Sequence, residues 1–203
     1  MRWIITLIVL SLLLVPLAAQ EAKMPESKEP MKVRFEDRKP FLVAGLEAKN
    51  FMDGKAMAAI WDKFASLVDK IPGSIADCSY GVYFTENEQN AMSMQDYRYF
   101  AGVEIEEKVE LPEGLLLHEV PGGYYAVFEY VGNIEGIGAA YGYIFGEWLV
   151  TSNYTPAGGE MFEVYDERFA GDSDESVVEI WVPIQKEKAN PEDLKTKEPQ
   201  PQQ

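Results

Sequence analysis

Residues 118–148, HEVPGGYYAVFEYVGNIEGIGAAYGYIFGEW, read as one strand feeding one helix. Pro121-Gly122-Gly123 is a breaker cluster, and the run after it, Tyr124 to Val131, is rich in the aromatic and β-branched residues that suit a pleated strand. Gly132-Asn133 ends that strand. From Ile134 the apolar period changes from two to about 3.6, so that Ile134, Ile137, Tyr141, Ile144, Phe145 and Trp148 draw one stripe on a helix reaching Val150. Asn133 stands where an N-cap belongs. Neither element carries a nucleophile beside a base, a phosphate loop or a metal-ligand spacing, so any chemistry must come from elsewhere.

The first half of the chain shows the same order. An extended run, Phe41 to Ala48, precedes a helix, Lys55 to Val68, with Met57, Ile60, Trp61, Phe64, Leu67 and Val68 on one stripe, and two strand-like runs follow, Tyr80 to Thr85 and Tyr97 to Glu106. The second half continues with Met161 to Asp166 and Val177 to Ile184. Two β-α-β-β modules predict an α+β domain of pseudo-twofold symmetry, a mainly antiparallel sheet with both helices on one face.

The chain has 203 residues, of which 47% are hydrophobic, enough for one core with extensions. Residues 1–19 have the layout of a secretory signal, with an uncleaved N-terminal anchor as the alternative; 20–32 read as a linker, 33–185 as the folded domain and 186–203 as a disordered tail. The expected location is secreted or periplasmic, with membrane contact only through an uncleaved first segment. The formal net charge of −16 argues against nucleic-acid binding and favours cationic small molecules at a cleft. Cys78 is the sole cysteine, which excludes an intramolecular disulfide and suits a small buried hydrophobe.

Strand alternation supplies the candidate site. In the last strand Val178, Ile180, Val182 and Ile184 form an aliphatic face that belongs against the helices, sending Glu179 and Trp181 to the opposite side. In the preceding strand Phe162 and Val164 point one way, Glu163 and Tyr165 the other. If the two strands are neighbours, Glu179, Glu163, Trp181 and Tyr165 line one acidic, aromatic concavity; a solvated sheet face is the plainer alternative. A carboxylate beside aromatic faces suits an organic cation, and a half-buried carboxylate with a raised pKa also suits a general base acting on water.

With Pro121-Gly-Gly-Tyr-Tyr-Ala-Val-Phe128, Gly132, Tyr141 through Trp148-Leu149, Ser152-Asn-Tyr154, Phe162-Glu-Val-Tyr165 and Glu179-Ile-Trp-Val-Pro-Ile184 in this order, the chain resembles the bacterial GyrI-like family of effector-binding domains. These domains are attached to AraC-type and MerR-type regulators and are also found alone. Ile60-Trp61-Asp-Lys-Phe64, Tyr80-Gly-Val-Tyr83 and Leu111-Pro-Glu-Gly114 resemble the stand-alone, integron-associated branch. The resemblance implies a SOUL-like fold whose cleft binds hydrophobic, often cationic, molecules. It matches Glu179 to the pocket glutamate and puts Trp148 and Tyr165 at aromatic motif positions, with Trp181 added by alternation. It implies no cofactor, and no helix-turn-helix is read before Val33. A hydrolase on the same cleft is the alternative, since some members resemble enzymes that open strained cyclopropane-containing toxins; Glu179 would then direct water and Tyr165 or Trp148 would stabilise the developing charge. A protein-interaction module, whose partner the sequence does not name, is the third reading; it would show a large exposed apolar sheet face.

Other signals are set aside. His118, the sole histidine, lacks a second ligand motif and reads as a polar residue at the start of the turn. No Gly-x-Ser-x-Gly elbow is present. Gly171-Asp-Ser-Asp-Glu-Ser176 lacks the ordered spacing of a calcium loop and reads as a solvated turn, so no metal site is expected. Asn153-Tyr-Thr155 fits a glycosylation sequon, relevant only in a eukaryotic source.

Overall fold

The structure is a computed structural model, and it describes residues 31–48, 53–85 and 97–186. The signal or anchor, most of the linker and nearly all of the tail lie outside the described residues. The strands are β1 (Lys32–Arg38), β2 (Phe41–Ala48), β3 (Ser74–Phe84), β4 (Arg98–Ile105), β5 (Leu116–Val120), β6 (Gly123–Val131), β7 (Tyr154–Pro156), β8 (Met161–Tyr165) and β9 (Val177–Lys186). Helix α1 is Gly54–Ala65. Helix α2 starts as Ile137–Tyr143, passes through a π-helical turn at Ile144–Trp148 and ends at Leu149–Thr151. Its entry is a 3-10 turn over Ile134–Gly136 capped by Asn133, whose side chain accepts from the Glu135 N–H at 2.9 Å. Asp53 caps α1 in the same way through Lys55 N–H.

The sheet order is β1-β6-β9-β8-β3-β4-β2-β5, with β7 paired to β9, and every pairing is antiparallel. The order is a palindrome of the two expected modules, β2-α1-β3-β4 and β6-α2-β8-β9, joined at β3 and β8. Two strands absent from the sequence reading complete it. β1 precedes the first module yet pairs with β6 of the second, and β5 precedes the second yet pairs with β2 of the first. β1 also begins at Lys32, inside the segment read as linker.

This exchange forces the sheet to curl. β1 and β2 stand six places apart in the order, which in a flat sheet is about 29 Å at about 4.8 Å per strand. Lys39-Pro40 must bridge them in three Cα steps, at most about 11 Å. β5 and β6 are likewise six places apart and joined through Pro121-Gly122. The two connections touch: a Cβ on Gly122 would lie 2.6 Å from the Arg38 carbonyl oxygen and 2.7 Å from Pro40 Cδ. The inner face is a closed core in which Phe41 of β2 meets Phe162 of β8 at 5.4 Å between ring centroids, with Tyr125, Val127 and Trp181 around them. It is not the exposed apolar face that a protein-interaction module would present.

Both helices lie on the outer face. α1 sets Ile60, Trp61 and Phe64 on Ala44, Leu46, Val103 and Ile105, while α2 sets Ala140, Ile144 and Leu149 on Phe128, Val178, Ile180 and Ile184. β3 and β8 lie at the seam of the modules, between the strands that carry α1 and those that carry α2.

Candidate functional site: a carboxylate in a tyrosine cage

Register decides which predicted residues meet. β8 pairs with β9 as Phe162↔Trp181, Glu163↔Ile180 and Val164↔Glu179. Residues directly opposite share a face, so Glu163 and Tyr165 go with Ile180 to the helix side, whereas Glu179 and Trp181 go inside with Phe162. The single concavity expected from the sequence does not form. The expectation placed β8's apolar residues against the helices, but the inner face is just as dry and takes Phe162, which is fully buried.

Glu179 is 9% exposed on that inner side. Its Oε1 accepts from Arg34 Nη1 at 3.0 Å and Arg168 Nη2 at 2.9 Å, and its Oε2 accepts from Arg34 Nη2 at 2.7 Å and Trp181 Nε1 at 3.2 Å. The Arg34 guanidinium carbon lies 5.6 Å from the centroid of the Trp181 ring. The cation against this carboxylate and indole is the protein's own Arg34, from the unexpected strand β1. Burial alone would raise the Glu179 pKa; the hydrogen bonds and charges of Arg34 and Arg168 outweigh it and hold the group below the ordinary carboxylate range.

Glu163 is 2% exposed. Its Oε1 accepts from the hydroxyls of Tyr141 at 2.6 Å and Tyr83 at 3.1 Å, and its Oε2 accepts from those of Tyr165 at 2.7 Å and Tyr99 at 3.5 Å. Among the described residues it makes no ion pair. Burial therefore dominates and pushes its pKa up, although the four phenols each favour the ionised form. Burial also drives the four tyrosines well above their usual value, with the Glu163 charge adding to it.

Each wall of this cage has a local cause. Tyr83 and Tyr99 are cross-strand partners on β3 and β4, so their rings meet at 4.9 Å. Trp61 of α1 donates through Nε1 to Tyr99 Oη at 3.1 Å and sets its ring edge against Tyr165 at 5.1 Å. Tyr141 reaches in from α2 with Phe145 stacked behind it. Gly81, opposite Glu163 on β3, leaves the room: a Cβ there would lie 2.1 Å from Tyr99 Oη and 2.9 Å from Glu163 Oε2. Beside Tyr165 the β3–β4 register shifts between Ser74 and Ser79, and a cavity of about 360 Å³ opens, lined by Tyr165, Val68, Ile71, Cys78 and Val103 among others.

Trp148 is not in the cage. It packs edge-on against Phe128 at 4.9 Å and stacks on Tyr154 at 5.9 Å, toward β1 and β7. His118 is no turn residue either: its ring lies 4.4 Å from that of Phe84 and its Nε2 is 2.7 Å from Glu160 Oε2. Ser176, at the end of the acidic segment, is buried and receives the Ala170 N–H at 3.0 Å, so that segment braces the start of α2 rather than forming a fully solvated turn.

A buried acid among aromatic rings, set on paired strands between two helix-bearing modules, suits a small-molecule-binding domain. The chain belongs to the GyrI-like small molecule binding domain family, whose model matches residues 31–185. It is 31% identical over 156 residues to the transcriptional regulator BrlR of Pseudomonas aeruginosa, an alignment covering 76% of this chain and 56% of BrlR, so the chain spans little more than half of that relative. Its fold is similar to that of SAV2435 bound to tetraphenylphosphonium, with a TM-score of 0.59 at 16% identity over 76% of this chain and 94% of that one. The EcmrR C-terminal domain gives a TM-score of 0.59 at 14% identity, over 78% and 99% of the two chains.

Proposed function

We propose that this domain binds a lipophilic organic cation in the cleft between α1 and α2, with Glu163 as its counter-charge. The observation that carries this reading is the contrast between two carboxylates. Both are buried and both accept four hydrogen bonds, but Glu179 receives them from two arginines and an indole, whereas Glu163 receives them from four neutral phenols. A buried carboxylate without a counter-ion costs several kcal/mol in the folded state, and an entering cation offsets that cost. The rings of Tyr83, Tyr141, Tyr165 and Trp61 supply faces and edges for an organic cation's apolar groups. Tetraphenylphosphonium, which SAV2435 binds, is a cation of this type. The hydrolase alternative finds no support here, because neither carboxylate keeps a lone pair for a water.

The test is calorimetric titration of tetraphenylphosphonium and of neutral triphenylphosphine oxide into wild type and Glu163→Gln. At roughly 6 Å and an effective dielectric of about 20, a unit charge on Glu163 contributes about 3 kcal/mol, or roughly a hundredfold in Kd. The cation is expected to lose that affinity in the variant while the neutral compound binds weakly to both. Equal cation affinity in both proteins would refute the reading. The apolar run within residues 1–19 supports a further proposal, that the domain works outside the cytoplasm. The short motifs of the first half support the stand-alone, integron-associated branch as its subgroup. N-terminal sequencing of the exported protein tests the location, and a cytosolic product would defeat it.

A further inference from the structure

The hydrogen bonds around Glu163 also say which kind of cation fits, an inference that rests on the cation-binding reading. A carboxylate offers about four lone-pair positions. Tyr141 and Tyr83 fill Oε1 and Tyr165 and Tyr99 fill Oε2, two donors to each oxygen. A ligand N–H can reach a carboxylate oxygen only by displacing a phenol. Otherwise it meets phenol oxygens, which are neutral and weaker acceptors, and Tyr99 Oη already accepts from Trp61 Nε1. A protonated amine would thus give up its water hydrogen bonds and regain less than it lost. An onium centre has no N–H to satisfy. It takes the charge of Glu163 through space and the ring faces by contact.

We propose that the site selects quaternary ammonium, phosphonium and similar onium cations over protonated amines and guanidinium groups of the same skeleton, because four tyrosines have filled the lone pairs of its carboxylate. Tyr165 and Tyr141, which make the two short bonds, are then residues that determine specificity as well as lining the cleft. Phe at either position keeps the ring and opens one lone pair.

The experiment compares benzyldodecyldimethylammonium with its tertiary counterpart N-benzyl-N-methyldodecylamine, which is protonated at pH 7, by titration calorimetry on the full domain. Wild type is expected to bind the quaternary compound at least about tenfold more tightly, the cost of one unmet charged N–H. In Tyr165→Phe, and separately in Tyr141→Phe, the ratio is expected to fall toward one because the tertiary compound gains. A general structural defect would weaken both compounds and leave the ratio alone. Equal binding of the two compounds by wild type, or an unchanged ratio in both variants, overturns the proposal while leaving cation binding standing. Binding of neither compound by wild type overturns both.

Discussion

Replacing Glu163 by Gln is expected to stabilise the ligand-free protein at neutral pH, and the size of the gain depends on pH in a defined way. The Glu163 carboxyl has its pKa raised in the folded protein, mainly by burial, against an unfolded value of about 4.3. Between those two values the folded state holds a proton that the unfolded state has released. Stability therefore falls as pH rises through that window, by about 1.4 kcal/mol per pH unit for one proton. Below the window the carboxyl is protonated in both states and contributes fully; above it the loss is complete. The amide introduced by Glu163→Gln carries no titrating proton, and its carbonyl and NH₂ can still pair with the phenols, so the variant lacks this slope. All other residues are the same in both proteins and cancel in the difference. Urea unfolding of the two proteins, followed by tryptophan fluorescence in half-unit steps from pH 4 to 8, gives the difference directly. It should open upward in favour of the variant above about pH 4.3, and saturating tetraphenylphosphonium should restore the wild type at the upper end. A difference that stays flat, or one that favours wild type as pH rises, would refute the assignment of Glu163 as an unpaired buried charge.

Two further substitutions separate the cage from the inner network. In Gly81→Ala the new methyl would meet Tyr99 Oη and Glu163 Oε2; overpacking of this kind costs about 1–3 kcal/mol, and thermal unfolding should show it together with loss of cation binding by calorimetry, whereas an alanine variant that kept both would mean the phenols are not wedged in place. Arg34→Met leaves Glu179 with Arg168 and Trp181 alone, and since the Arg34 side chain is 42% exposed, the loss discounted for screening is about 1–2 kcal/mol. That loss should be present at neutral pH and vanish as pH falls through the depressed pKa of Glu179, with tetraphenylphosphonium affinity unchanged; a parallel fall in affinity would put the two carboxylates in one site.

The module order, both helices and the Asn133 cap could be read from the sequence because each is a local pattern: one period, one breaker cluster, one cap residue. β1 and β5 escaped because each is partly charged on its own and is held only by the other module's edge strand. That omission carried into the site. Without β1 there was no Arg34 to neutralise Glu179, and the outward-looking pair Glu179 and Trp181 resembled an empty cation site. Glu163 and Tyr165 were named, but on the wrong face, since alternation gives parity within a strand and only register gives parity between strands. Tyr83, Tyr99 and Tyr141 come from three different elements. Tyr141 was legible as a helix-stripe residue and as the start of a family motif, not as a partner of Glu163, and the one local hint of a crowded floor was Gly81 two residues before Tyr83.

If Glu163 is the counter-charge proposed above, the contrast with Glu179 gives a reason for tyrosines in place of arginines around it. An arginine at the position of Tyr141 or Tyr165 would lower the cost of burying Glu163 and stabilise the apo protein, as Arg34 and Arg168 do for Glu179. It would also satisfy the charge that a ligand is to meet, and the ligand would then have to displace a tethered competitor whose local concentration is far higher than its own. Phenols hold the carboxylate in place and give it hydrogen bonds without neutralising it. On the proposed reading, the remaining charge discriminates a cation from a neutral molecule of equal size. On this argument the instability tested by Glu163→Gln and the affinity tested with tetraphenylphosphonium are one quantity seen from two sides. A substitution that relieves the first by supplying a positive charge should reduce the second by a comparable free energy.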